Sequence, residues 1–121
     1  MKKQKRLQGG LDAGTVRFTK KIGDARIARD LLGDKAGDTR LSFLISYNQD
    51  KKTLIFDPML DQYGGCRARY TAMRSKSPHV SLGNFLKTIG RSTEDLPQGS
   101  YPAEVLNGKI VVKIKFETNG H

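Results

Sequence analysis

The dipeptide Asn107-Gly108, set between two runs that alternate apolar and polar residues, constrains this chain more than any other feature. A two-residue hairpin turn needs positive φ at both central positions, and asparagine followed by glycine meets that need at the least cost. The turn sets the register: Val105 faces Ile110, Ala103 faces Val112 and Tyr101 faces Ile114, all on one side. Lys109, Lys113 and Lys115 then point the other way.

The remaining elements follow from period and punctuation. Residues 16–20 alternate as a half-buried strand does. Asp24 caps a helix whose apolar face is Ala25, Ala28, Leu31 and Leu32, and Gly33 is placed to stop it. Residues 41–47 form a strand, 48–50 a turn and 53–56 its hairpin partner. Asp57-Pro58 ends that strand, because proline lacks the ladder donor. After Gly64-Gly65 comes a strand over 67–73, then a helix capped by Ser81 with Leu82, Phe85, Leu86 and Ile89 at i, i+3, i+4 and i+7. Gly90 stops it, and the loop 91–100 leads into the Asn107-Gly108 hairpin.

The expected fold is therefore α+β, built as two β-α-β-β units over residues 16–58 and 64–117 with short helices and hairpins. Asp24 aligns with Ser81, Leu32 with Ile89 and Gly33 with Gly90 at one offset. Either the units are a pseudo-symmetric duplication, or short elements recur in this order by chance. A duplicated chain is a monomer with pseudo-dimeric halves; otherwise the same pairing calls for a homodimer. The expected core is Leu31, Leu32, Phe43, Ile45, Leu82, Phe85, Leu86, Ile89, Val105, Ile110, Val112 and Ile114.

A chain of 121 residues suits one domain, read as 16–121 behind a basic arm at 1–15. The formal charge is +10 with a pI near 10.0, the electrostatic footprint of a nucleic-acid binder. The excess is uneven. Residues 1–30 carry nine basic and three acidic side chains and residues 61–90 five and one, while 31–60 and 91–121 are neutral. Such asymmetry describes a face rather than general solvation. The candidate phosphate contacts are Arg17, Lys20, Lys21 and Arg26 in the first block, and Arg67, Arg69, Arg74 and Lys76 in the second. Arg67, Arg69 and Thr71 share one side of a strand, which lets two guanidiniums track phosphates. DNA is the favoured partner.

Other classes find less support. Catalysis needs convergent polar groups, and His79, His121 and Cys66 are too scattered for a zinc set. Asp34 with Asp38 and Asp57 with Asp61 read as caps and turn residues, and residues 33–37 are not a phosphate loop. No enzyme activity, metal or cofactor is expected. A lone cysteine fits a reducing compartment, and no apolar run nears the roughly 18 residues of a membrane span, so a cytoplasmic protein without membrane contact is expected. Two alternatives stay open. One is a single-stranded DNA or RNA binder that stacks bases on Tyr70, Tyr63 or Phe18. The other is a protein–protein interaction module, such as a phage or plasmid accessory factor.

Leu32-Gly33, the Gly37-Asp38 turn, and Leu41, Phe43 and Ile45 answered by Leu54, Ile55 and Phe56 carry a resemblance. Over residues 16–56, about a third of the chain, it resembles the swapped-hairpin DNA-binding domain of AbrB, SpoVT and the MazE antitoxins. The resemblance implies a dimeric, transcription-regulating DNA binder whose basic residues ahead of the helix fall on Arg17, Lys20, Lys21 and Arg26. The chain departs from that pattern at Ile27-Ala28, where the family has a second strand, commonly ending in Ile-Pro, before the helix.

Overall fold

The computed structural model describes residues 11–61, 63–70 and 76–116. Among these residues eight strands run in chain order: β1 Thr15–Thr19, β2 Asp24–Ile27, β3 Leu41–Asn48, β4 Thr53–Leu60, β5 Cys66–Arg67, β6 His79–Ser81, β7 Gly99–Leu106 and β8 Lys109–Lys113. Among the described residues one short helix, α1 Gly83–Thr88, and 3-10 turns at Arg29–Leu31, Gly33–Lys35 and Thr93–Asp95 join them. Every strand pairing is antiparallel, in the order β5-β3-β4-β8-β7-β1-β2-β6. The outermost strands meet just past β5, where Arg69 and His79 exchange two backbone hydrogen bonds of 2.8 and 2.7 Å. The sheet thus curls into a nearly closed barrel, which leaves few unpaired strand edges.

This corrects the α+β expectation. Residues 24–27, read as the start of a helix, form β2, with Ala25 paired to Phe18 on one side and Val80 on the other. Asp24-Ala25-Arg26-Ile27 also has a strand's alternation, and two neighbouring strands outweigh a marginal helical stripe. The first helix is replaced by the 3-10 turns on either side of Leu32. The unit is therefore β-β-turn-β-β, not β-α-β-β. In connectivity, exchanging β1–β4 with β5–β8 maps the ring of strands onto itself, read in the opposite direction.

Three further readings change. Pro58 lies inside β4 opposite Phe43 rather than ending it, because the ladder to β8 stops at Phe56–Ile110 and no donor is needed there. Ser81 ends β6, so α1 starts from Leu82 without a side-chain cap. The expected strand 67–73 is short: Cys66 and Arg67 pair with β3, Arg69 bridges to β6, and 71–73 lie outside the described residues.

The hairpin at Asn107-Gly108 forms with φ of 53° and 78°, and Val105 pairs with Ile110 and Ala103 with Val112 as expected. Tyr101 instead pairs with Val16, and Ile114 donates its N–H to the Lys52 carbonyl. β7 pairs with β8 over Ala103–Leu106 and with β1 over Gly99–Pro102, so the ladder to β8 ends where that to β1 begins.

Inside the barrel lie Val16, Phe18, Ala25, Ile27, Leu41, Phe43, Leu54, Phe56, Val80, Ile110 and Val112, all buried. Barrels of this strand number have room for little besides side chains. Phe43 meets Phe56 edge to face at 6.0 Å, and Phe18 meets Tyr101 at 5.8 Å. Leu82 and Leu86 of the helical segment add to this core, while Leu31, Ile45 and Phe85 sit at its margin. Ile89 and Val105, expected inside, are 38% and 48% exposed. Helix α1 ends one residue before Ile89, and the chain turns away at Gly90 (φ 74°). Within the stretch read as an arm, Leu11 is buried and Thr15 opens β1.

Candidate functional site

Alternation decides which charges share a face. In β1 and β2, Val16, Phe18, Ala25 and Ile27 point inward, so Arg17 and Arg26 point outward. Val80 and Ala68 are likewise buried, which turns His79, Arg67 and Arg69 to the same outer surface. The registers align four of these residues side by side. Arg17 lies opposite Arg26, Arg26 opposite His79, and His79 opposite Arg69. Three strand spacings of about 4.8 Å put the ends of this row roughly 14 Å apart along the surface.

The end arginines are exposed, and Arg26 and His79 are half-buried. Asp24, two residues from Arg26 on the same side of β2, brings Oδ2 within 3.2 Å of His79 Nδ1. That contact orients the imidazole within the row. Arg67 stands two residues from Arg69, paired to Ser42 of β3, and both line a shallow cleft with Thr39 and Tyr70.

The remaining candidates surround the row. Lys20 and Lys21 occupy the β1–β2 turn, where the Lys20 N–H donates to Gln98 Oε1 at 2.9 Å. Lys76 precedes β6 with its stem against Gly37. Arg74 lies outside the described residues. His79 is not among the sequence candidates for this face, since the pattern places it just ahead of the helix expected to start at Ser81. The buried Val80 between His79 and Ser81 is the strand signal that reveals it.

The aromatic candidates are placed differently. Phe18 is fully buried, and the Tyr70 hydroxyl accepts from the Gly37 N–H at 3.0 Å and donates to the Asp38 carbonyl at 3.2 Å. Burial raises the Tyr70 phenol above its usual range, so it remains a donor at neutral pH. Tyr63 is 89% exposed in the turn before β5, four residues ahead of Arg67.

On the outer side of β4, β7 and β8 the surface changes character. Ile55, Val111, Pro102 and Leu106 line an open groove of about 820 Å³, with Glu104 and Lys113 among its polar groups. Lys113 therefore belongs to the opposite side of the barrel from the arginine row. Among the described residues, no three His, Cys, Asp or Glu side chains come together as a metal would require, and no helix is long and apolar enough to cross a membrane. No family model, curated protein or solved structure matches the chain.

Proposed function

We propose that this protein is a non-catalytic, cytoplasmic nucleic-acid-binding protein that engages double-stranded DNA through the phosphate backbone, in the manner of a transcription regulator. The observation that carries this reading is the direct cross-strand pairing of Arg17 with Arg26 in a row that continues through His79 to Arg69. Like charges directly opposite one another destabilise a sheet. A chain that keeps them has a use for concentrated positive charge, and guanidiniums match phosphate oxygens in geometry as well as charge.

Duplex is favoured over single strands because stacking needs exposed rings beside the cations. Here Phe18 is inside the barrel and Tyr70 is tied to the 37–38 backbone, which leaves Tyr63 as the one exposed ring of the three candidates. The resemblance to the swapped-hairpin regulators agrees with this reading through Arg17 and Arg26 on the first two strands.

The test is an anisotropy titration with duplex DNA, single-stranded DNA and RNA of matched length over a salt series. Duplex should bind most tightly, and log K should fall by about 0.9 per log unit of salt for each phosphate neutralised. Replacing Arg67 and Arg69 together with alanine should flatten that slope by about 2. Lys113→Ala, on the opposite side, should leave it unchanged. Absence of binding at low salt, or equal effects of Lys113 and the arginines, overturns the proposal.

A further inference from the structure

The row has an internal symmetry that its charge alone does not require. Arg26 and His79 are partners across the β2–β6 seam. Exchanging them carries the partner of Arg26 on β1, which is Arg17, onto the partner of His79 beyond β5, which is Arg69. The same exchange maps the ring of strands onto itself. The row therefore reads Arg17, Arg26, seam, His79, Arg69, with identical side chains at its two ends and unlike ones at its centre.

The phosphate framework of duplex DNA has two-fold axes perpendicular to its length at every base pair and every step, whatever the sequence. A two-fold protein face placed on such an axis makes each phosphate contact twice, once to each strand. Symmetric dimers use this match by supplying one half from each subunit. Because the sheet is curled, the two end arginines point outward to either side of the β2–β6 seam, which suits two strands flanking a dyad better than neighbouring phosphates on one strand.

Resting on the duplex reading above, we propose that a single chain docks with the β2–β6 seam on a local dyad of the duplex, Arg17 contacting one strand and Arg69 the other. One chain thereby bridges both strands, as two subunits ordinarily do. The unequal centre, Arg26 against His79, makes the two halves of the preferred site similar in their backbone contacts and different at the middle.

Cross-linking tests this on the full chain. Arg17→Cys and Arg69→Cys are combined with Cys66→Ser, which removes the chain's one natural cysteine, and each thiol carries a short photocross-linker. The probe is a 24-base-pair duplex of mixed sequence with a different dye on each strand, a length of about two helical turns. Doubly cross-linked protein should carry both dyes on a denaturing gel. Doubly linked product with one dye only, or binding without adducts from either position, overturns the proposal while leaving duplex binding intact. Failure of the natural chain to bind duplex at low salt overturns the duplex reading and this inference together. Should the doubly labelled chain misfold, the single variants Arg17→Gln and Arg69→Gln decide: each should reduce the salt slope by about 0.9, and an effect confined to one of them refutes the symmetry.

Discussion

Arg17→Thr separates a residue kept for folding from one kept for binding, because the two roles predict opposite signs. Arg17 is exposed on β1, with Arg26 directly opposite, Ser100 on its other side and Asp24 diagonal to it. Asp24 is engaged by His79, and Arg17 and Arg26 stand directly opposite each other on neighbouring strands. Opposed like charges cost roughly 0.2–1 kcal/mol, and threonine is a good strand former. The variant should therefore be as stable as the natural protein or up to about 1 kcal/mol more stable, a rise of roughly 0–5 °C in Tm for a domain of this size. If Arg17, Arg26, Arg67 and Arg69 each neutralise one phosphate, the slope of log K against log salt is about −3.6, and the variant should give about −2.7. Thermal unfolding at low salt and anisotropy titrations on the same sample measure both. Loss of more than about 1 kcal/mol with an unchanged slope would refute the reasoning, since Arg17 would then be a structural residue.

Phe56→Ala removes half of the edge-to-face pair with Phe43 inside the barrel and should cost about 3–5 kcal/mol in urea unfolding. Gly23→Ala places a methyl 2.5 Å from Thr93 Cγ2 at a φ of 77°, and should destabilise by more than the roughly 1 kcal/mol of a left-handed residue alone; Thr93→Ser should recover part of that loss. Asp38 is held down at about 2, from an ordinary 3.8, chiefly by side-chain hydrogen bonds from Arg40 and then by the Arg40 backbone N–H. Because the folded value is the lower one, its contribution is complete above about pH 4 and is lost as pH falls through about 2. NMR titration of the Asp38 carboxyl should show this, and Arg40→Ala should move the midpoint back up towards 3.8.

The features legible beforehand were those encoded locally. Asn107-Gly108 specifies its own turn, and Val105–Ile110 and Ala103–Val112 follow from it without knowledge of the rest of the chain. Gly90 turns the chain after α1 through a left-handed φ that few other residues adopt. The charge imbalance was also plain, and alternation alone was enough to put Arg67 and Arg69 on one side.

Residues 24–27 show where local signals fail. Four residues with apolar side chains at Ala25 and Ile27 suit a strand as well as a helix's first turn, and the choice is made by neighbours. Those neighbours are β1 nearby and β6 more than fifty residues on. His79–Ser81 is too short to announce itself as a strand, and Ser81 beside an apolar helical stripe looks like a cap. Its pairing with β2 and with Arg69 brings the ends of the sheet together.

Composition and pattern by themselves determined that this chain is basic in two separate blocks, that it makes a tight hairpin at Asn107-Gly108, and which side of that hairpin is apolar. Only the tertiary structure decided that described residues from both blocks share one surface. Arg17, Arg26, His79 and Arg69 come from distant parts of the chain and stand side by side because hydrogen-bonded registers align them. Register is a non-local property: the pleat tells each residue which face it takes, but only the partner strand tells it which neighbour it has.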